Sequence, residues 1–279
     1  TYKVKVYSQQ NGKMSSEYKE MTVFVVSTMS GTSSESRRIS DEMLEIISEM
    51  EGYSAGVYPD TLAYNIPTLG YGYVLSKGEI FYNNLTKREA WALLCNAINT
   101  RSYTSEVNRF IANHDLLANQ SQFDSMVSSS YNVGAGYWNN SSAAFDLRGI
   151  ILNAVRPPKI ASGSSVGAKT TASAAVYKSA SDTSGKVTTL SKGTSVSVLA
   201  TKYLKDTGEM WYQVKTSSGA KGWARGAYIS FNNASSLTHD LKYTDAIAFG
   251  TEMLAWHKAG GVCLPGLLYR RLAEAKVYS

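Results

Sequence analysis

The sequence predicts an α+β protein: a mainly helical domain with a small antiparallel sheet, interrupted by a small all-β barrel and preceded by a β-hairpin. Three observations lead to this prediction. Apolar residues recur with helical spacing after residue 40 and again from residue 243 onward. Residues 53–75 are rich in Tyr, Gly and Thr with short alternations, typical of a small sheet. Residues 176–230 form short alternating segments separated by frequent turn signals, the pattern of a small barrel or sandwich.

The order of these patterns divides the 279 residues into four parts. Residues 1–38 contain a predicted hairpin around an Asn-Gly pair and a Ser/Thr-rich linker. Residues 39–158 begin the helical domain, and residues 159–232 hold a second linker and the β module. Because residues 233–279 are short for a domain, we expect them to complete the helical domain, with the β module as an insertion.

The first helix is predicted between Ser40 and Gly52. Ser40 is a good N-cap, acidic residues follow it where the helix dipole favours them, and Gly52 is a natural stop. An apolar face is expected at helical spacing, formed by Met43, Ile46, Ile47 and Met50. Further helices are expected from Leu85 to about Arg156.

The basic excess lies in one segment. The net charge is +6, and residues 160–230 alone carry nine basic and three acidic residues, so the rest of the chain is balanced. A basic excess on a separate module suggests an anionic polymer as partner, and nucleic acid and bacterial cell-wall polymer both qualify. A solvated basic face without a partner is the alternative.

We expect no cofactor and no metal. The two cysteines, Cys95 and Cys263, and the three isolated histidines lack metal-type spacing, and no phosphate-binding glycine motif is present. The cysteines are expected to be buried thiols, although the sequence leaves one disulfide open. No apolar run approaches the length of a membrane span, and the sequence begins without a signal-peptide pattern.

One set of polar residues suggests chemistry. Glu51 ends the first helix, and Asp60 and Thr68 follow in the predicted sheet. A carboxyl packed near apolar groups keeps its proton to higher pH and can donate it, whereas a carboxylate in polar surroundings can orient water with help from a hydroxyl. This is a workable glycosidase layout, but the spacing alone does not distinguish it from solvated surface.

The motifs around these residues resemble the active-site signature of phage-type lysozymes, glycoside hydrolase family 24. The signature is a Glu-Gly, an Asp and a Thr-Ile-Gly-Tyr-Gly-His segment, matched here by Glu51-Gly52, Asp60 and residues 68–72. Three further stretches are similar to family segments in the same order, at residues 85–94, 123–136 and 256–275. They flank the β module and so also support the insertion.

The resemblance implies a lysozyme-like fold and a muramidase that cleaves the β-1,4 bond between N-acetylmuramic acid and N-acetylglucosamine. Glu51 would be the general acid, Asp60 would position or activate water, and Thr68 would assist. Tyr71 and Asn132 match family motifs and are expected to contact substrate, although Asn132 is equally explained as a cap or turn residue.

The chain departs from the family pattern in two ways. Seven residues separate Asp60 from Thr68, where the family usually has about five, and Tyr73 replaces the family's His. If Asp60 points away from the cleft, a lytic transglycosylase that uses Glu51 alone becomes the better interpretation.

The β module resembles a bacterial SH3 (SH3b) domain through its WYxV, GW and YI segments. Such modules often bind peptidoglycan peptides, so the resemblance implies wall targeting, with candidate groove residues Trp211, Tyr212, Trp223 and Tyr228. The alternative is that most of these aromatic residues fill the core of a small barrel.

The favoured hypothesis is therefore a wall-targeted peptidoglycan hydrolase that acts as a monomer, without nucleic acid or membrane as partner. It would be made in the host cytoplasm and would reach the wall through a holin-type or virion-associated route. A wall-binding adaptor with a decayed catalytic domain is the second hypothesis, and nucleic-acid binding through the basic module is the third.

Overall fold

A computed structural model describes residues 2–10, 13–23, 36–60, 65–81, 83–140, 146–154, 156–204, 206–233, 237–259 and 261–279. They divide into two compact units. Unit 1 lies within Thr1–Asn113, Ala118–Arg148 and Gly250–Ser279, and unit 2 within His114–Leu117 and Gly149–Phe249.

The N-terminal segment forms two strands. β1 (Tyr2–Gln10) pairs antiparallel with β2 (Lys13–Val23), with an irregularity between Tyr7 and Gln9. This agrees with the predicted hairpin, whose Asn-Gly pair lies outside the described residues. Most of the predicted Ser/Thr-rich linker, up to residue 35, also lies outside them.

Helix α1 (Asp41–Glu51) begins and ends as predicted. The Ser40 hydroxyl accepts a hydrogen bond from the Met43 amide at 3.2 Å, and Gly52 ends the helix with a positive φ of 70°. The buried face differs slightly from the predicted one, because Leu44 joins Met43 and Ile47 in the core. Because Gly52 ends the helix, Glu51 is its last residue.

A three-stranded antiparallel sheet follows α1, as predicted. Its order is β3 (Ser54–Asp60), β4 (Ile66–Gly70) and β5 (Tyr73–Val74). The central strand β4 is the most buried, and Leu69 packs with Tyr73 and Ala97 in a small cluster.

Three helices form the body of unit 1: α2 (Lys87–Thr100), α3 (Ser102–Asn113) and α4 (Gln120–Val133). Capping boxes start α2 and α4, because each N-cap side chain accepts from the amide three residues on, whose own side chain reaches back. Helix α7 (Pro265–Tyr278) packs against α4. Residues 250–279 thus belong to the same compact unit as α1 to α4, as expected if C-terminal residues complete the helical domain. The shared core includes Ile98, Val107, Phe110, Phe123, Met126, Val127 and Trp138.

Several further described elements are short. They are β6 (Leu116–Leu117), a 3-10 helix at Gly136–Asn139, α5 (Leu147–Leu152), β14 (His239–Asp240), α6 (Ala246–Ala255), β15 (Lys258–Ala259) and β16 (Val262–Cys263).

Unit 2 contains the predicted β module as a seven-stranded antiparallel sheet. The strands are β7 (Val166–Thr170), β8 (Ala174–Tyr177), β9 (Lys186–Leu190), β10 (Ser195–Leu204), β11 (Glu209–Thr216), β12 (Lys221–Arg225) and β13 (Ile229–Phe231). Their spatial order in the sheet is β13-β7-β10-β11-β12-β8-β9. Alternate residues line one core, which includes Val176, Val196, Val198, Met210, Tyr212, Val214 and Ala224.

Two simpler predictions can be compared with the structure. Both cysteines are free, but Cys95 is only partly buried and Cys263 is exposed, so the expectation of two buried thiols is wrong. Among the described residues, no helix has the length and apolar character needed to cross a bilayer.

Candidate active site

Glu51 lies at the C-terminal end of α1, where the helix meets the small sheet. Its side chain is 21% exposed, so the carboxyl is partly withdrawn from solvent but can still be reached. One carboxylate oxygen, Oε1, accepts a hydrogen bond from Nη1 of Arg270 on α7. The sequence motif thus places an acid at a helix end, and the fold supplies a buried cation against it.

Arg270 belongs to a buried charged cluster that sequence reasoning missed. The Arg270 Nε donates to Glu274 Oε1 at 3.2 Å, and Arg271 Nη2 lies 2.9 Å from Glu274 Oε2. Glu274 also accepts from the Ser128 hydroxyl at 2.7 Å. Burial lowers the pKa of Arg270, but the carboxylates of Glu51 and Glu274 outweigh burial and raise it. The sequence feature that could have indicated this cluster is the close spacing of Arg270, Arg271 and Glu274 within one predicted helix.

The turn between β4 and β5 touches the Glu51 carboxyl. A Cβ built on Gly72 would lie 2.7 Å from Glu51 Oε2, and this glycine has a φ of 75°. The positive φ favours glycine here, and a side chain at this position would displace the Glu51 carboxylate. The Tyr131 hydroxyl donates to the Tyr71 carbonyl at 2.9 Å and holds the turn against α4. Burial and the charge of Glu51 raise the pKa of Tyr131, so its phenol stays a neutral donor.

Asp60 and Thr68 lie on the same face of the sheet. Thr68 on β4 is paired directly with Tyr58 on β3, and Asp60 is two residues beyond Tyr58. Side chains two apart along a strand point to the same face, so these three residues share it. Thr68 is 1% exposed and donates its hydroxyl to the Ile66 carbonyl at 3.1 Å, which leaves its lone pairs to accept.

Tyr58 connects the two acids electrostatically. Burial raises the pKa of the Tyr58 hydroxyl, and the negative charges of Asp60 and Glu51 raise it further. Both carboxylates therefore lie close enough to act on one phenol. The fold thus places Glu51 beside the sheet that carries Asp60 and Thr68.

The longer hairpin is only partly described. Asp60 is paired with Ile66, and the Asn65 amide donates to the Asp60 carbonyl at 2.7 Å. The intervening residues 61–64 lie outside the described residues. On the described strands, the additional length does not disturb the pairing of Tyr58 with Thr68.

Tyr73, at the position of the family's His, makes its own contacts. Its hydroxyl donates to Glu79 Oε1 at 2.8 Å, and the Arg101 guanidinium lies 4.2 Å from the centre of its ring. Arg101 also donates to the Val74 carbonyl at 2.9 Å. These contacts fix the end of β5 against the helices.

Tyr71 and Asn132 occupy different settings. The Tyr71 ring lies 5.7 Å from the Tyr53 ring, in the turn beside Glu51. Asn132 is an exposed residue in the last turn of α4, and its side-chain oxygen accepts from Arg271 Nη2 at 3.1 Å. Asn132 is thus tied to the charged cluster through Arg271.

The four aromatic residues predicted for the β-module groove separate into two pairs. Trp211 and Tyr212 are 1% and 3% exposed, so neither lines an open groove, and the prediction must be corrected for both. Tyr212 points into the barrel core, whereas Trp211, on the other face, is covered by Tyr177 and Arg225.

Trp223 and Tyr228 remain accessible. Trp223 is partly exposed and lies between Gln213 and Tyr177 on adjacent strands, and Tyr228 is 39% exposed. Trp223 therefore lies on the sheet face that points away from the barrel core.

The basic excess of the β module is exposed. Arg225 forms ion pairs with Asp182 and Glu209, so one cation engages two of the three acidic residues of this segment. The exposed lysines that remain are Lys169, Lys178, Lys186, Lys192, Lys202, Lys215 and Lys221.

The site offers carboxylates without a metal-binding arrangement. Among the described residues, no cluster of three or more His, Cys, Asp or Glu side chains could hold a metal ion. A half-buried acid beside a small sheet that carries a second carboxylate and a hydroxyl has the groups that acid–base chemistry on a glycosidic bond needs. The fold is that of an α+β domain with this acid where a helix meets the sheet.

Comparison with known families narrows this class. Residues 48–155 match the phage lysozyme family model, and residues 172–230 match the bacterial SH3 domain model. The chain thus carries a phage lysozyme domain, which makes it a lysozyme-type glycoside hydrolase, together with a bacterial SH3 domain. No match was found among curated proteins.

Three solved structures are similar to the chain. The endolysin from Escherichia coli O157:H7 phage FAHEc1 is 17% identical, with a TM-score of 0.39 over 87% of this chain and 93% of that one. The active form of P1 phage endolysin Lyz is 15% identical, with a TM-score of 0.40 over 87% and 85%. The muramidase domain of SpmX from Asticaccaulis excentricus is 14% identical, with a TM-score of 0.42 over 87% and 98%.

Proposed function

We propose that the protein is an N-acetylmuramidase that hydrolyses the β-1,4 bond between N-acetylmuramic acid and N-acetylglucosamine in peptidoglycan. The observation that carries the proposal is the position of Glu51. Its carboxyl is partly buried at a helix end, held at one oxygen by Arg270, and faces the sheet that bears Asp60 and Thr68.

Glu51 acts as the general acid. As the bond between the anomeric carbon and the bridging oxygen breaks, the Glu51 proton passes to that oxygen, which leaves as the 4-hydroxyl of N-acetylglucosamine. Arg270 holds Oε1 of Glu51 and leaves its other oxygen to carry the proton. In the deprotonated state, the same contact stabilises the carboxylate.

Asp60 and Thr68 act on the water. In an inverting reaction, water attacks the anomeric carbon from the side opposite to the leaving group, and a carboxylate accepts its proton. Asp60 supplies this carboxylate, and the Thr68 hydroxyl accepts a hydrogen bond that orients the water. Their shared sheet face supports these roles.

The SH3 domain holds the enzyme at the wall. Its exposed lysines suit an anionic wall, and Trp223 and Tyr228 are the accessible aromatic residues of the predicted set. Tethering raises the local concentration of cleavable bonds at the active site. We infer that the protein reaches the wall through a holin-type or virion-associated route.

The test compares two substitutions on the same helix. Glu51→Gln removes the proton donor, and we expect the rate of wall solubilisation to fall by about two to four orders of magnitude. Glu49→Gln is the matched control, because Glu49 is an exposed acid two residues earlier on α1 and should retain the rate. Equal activity of both variants would contradict the proposal, and an inactive protein that still binds walls would favour the adaptor.

A further inference from the structure

The charged cluster beside Glu51 has an unusual composition for a protein interior. Arg270, Arg271 and Glu274 project from one side of α7, and their residues are 3%, 0% and 0% exposed. Two cations and one anion therefore leave one positive charge that is not balanced within the helix. Because buried charge is costly unless it is paired, a further anion is required nearby. Glu51 supplies this further anion, because Arg270 contacts its carboxylate as well as that of Glu274.

Glu274 connects this charge balance to the position of Arg270. Its Oε1 accepts from Arg270 Nε, and the other end of the same guanidinium reaches Glu51. Ser128 donates to the Glu274 carboxylate, and Arg271, three residues earlier on α7, pairs with it. The hydrogen bonds from Ser128, Arg270 and Arg271 all end on Oε1 of Glu274, and Arg271 Nη2 lies 2.9 Å from Oε2, so Arg270 is fixed from behind.

We propose that Glu274 is a positioning residue for the active-site acid: it fixes Arg270 against Glu51 and cancels one of the two buried guanidinium charges. With Glu274 present, Glu51 faces about one unbalanced positive charge. Without it, Glu51 faces two, which favour its carboxylate form and oppose the return of the proton needed for each cleavage. Arg271 has the opposite influence, because it adds the second positive charge.

The other groups around Glu51 do not remove this imbalance. Tyr131 on α4 stays a neutral phenol beside Glu51. On the sheet side, Tyr58 is also neutral, and among the described residues Asp60 is the negative charge besides Glu51 that raises the pKa of Tyr58. The two guanidiniums and Glu274 are thus the charges that approach Glu51 from α7.

The experiment measures the titration of the Glu51 side-chain carboxyl by carbon-detected NMR in the full chain, with the signal assigned by its absence in Glu51→Gln. We expect Glu274→Gln to move the titration midpoint down by about one pH unit, and Arg271→Gln to move it up. The alkaline limb of the pH–activity profile should move in the same directions. The double variant Glu274→Gln/Arg271→Gln should return the midpoint toward that of the unmodified protein.

Ser125→Ala is the matched control. The Ser125 hydroxyl donates to the Glu274 backbone carbonyl at 2.8 Å, so this change weakens the same packing without altering a charge. It should lower stability and leave the titration midpoint in place. If Glu274→Gln does not fold, Arg271→Gln and the double variant still carry the test.

Unchanged midpoints, or shifts of one sign in both single variants, would overturn the proposal. The role of Glu274 in catalysis rests on the proposed function, whereas the shift of the Glu51 midpoint can be measured whether or not the protein is a hydrolase. If the two single variants shift the Glu51 midpoint in opposite directions but the unmodified protein has no hydrolase activity, the proposed function alone is rejected. If the unmodified protein hydrolyses walls, Glu51→Gln does not, and neither single variant shifts the midpoint, only the role of Glu274 is rejected.

Discussion

Gly72 shows how one residue determines the geometry of the site. The backbone at this position lies against Glu51 Oε2, so that even one methyl group would be too close at 2.7 Å. The Gly-Tyr-Gly segment is thus explained by contact with the acid as well as by its turn. Gly70 of the same segment has a φ of 64°, and a Cβ there would lie 3.3 Å from the Ala90 side chain.

We expect Gly72→Ala to reduce wall hydrolysis by about 100-fold, because displacing a catalytic group by an ångström has this order of effect. The control is Gly78→Ala, since Gly78 has a φ of 83° and open space around its Cβ position. Both changes should cost about 1 kcal/mol of stability through the left-handed backbone. Similar activities for the two variants would show that contact with Glu51 is unimportant.

Some residues of the site could be predicted from the sequence, and others could not. The positions of Glu51 at a helix end and of Asp60 and Thr68 in a small sheet could be predicted from helix signals, the composition of residues 53–75 and the motif. Arg270 could not be, because 219 positions separate it from Glu51 and only the packing of α7 brings them together. Trp211 was wrongly predicted to line a groove, because the resemblance to SH3b domains does not reveal that Tyr177 and Arg225 cover it.

At the scale of elements, α1 is held at both ends by groups from other helices. At its start, Asp124 on α4 accepts from the Ser40 amide at 3.0 Å and from the Ser40 hydroxyl at 2.6 Å. At its end, Arg270 holds Glu51. The sequence predicted the cap and the stop of α1 but not these anchors, which depend on tertiary contacts.

Asp124 should give the protein a distinctive pH dependence. Burial raises the pKa of Asp124 to about 6, although hydrogen bonds from Ser40 and Gln120 oppose the shift. An unfolded Asp titrates near pH 3.9. Because the folded pKa is the higher one, the stabilisation from this proton is complete below about pH 4 and is lost as pH rises through about 6.

The measurement compares chemical denaturation of the unmodified protein and Asp124→Asn between pH 4 and 7. We expect the unfolding free energy of the unmodified protein to fall relative to the variant by up to about 3 kcal/mol across this range. A difference that does not change with pH would contradict the buried, proton-binding Asp124.

At the scale of the whole molecule, the chain joins a lysozyme domain and an SH3 domain, and C-terminal residues return to the first unit. The sequence predicted this insertion from the return of helical periodicity, and the packing of α7 on α4 agrees with it. The exact borders stay a prediction, since residues 149–158 and 233–249 group with the second unit rather than the first.

The two domains should be separable by mutation in the full chain. We expect Trp223→Ala to weaken wall binding in a pull-down by about tenfold, the effect of losing one aromatic contact. Hydrolysis of soluble glycan fragments should be unchanged. Ile247→Ala is the control, because Ile247 is 73% exposed and lies outside the SH3 match. Undiminished wall binding by Trp223→Ala would place the binding surface elsewhere.

In the proposed mechanism, Glu51 gives a proton to the bridging oxygen while water held by Asp60 attacks the sugar. Mass spectrometry of the fragments released from peptidoglycan in 18O-labelled water shows whether water is the attacking group. We predict N-acetylmuramic acid with a free reducing end that carries one 18O atom. A 1,6-anhydro product without the label would contradict the account, because the sugar's own hydroxyl would then have replaced the water.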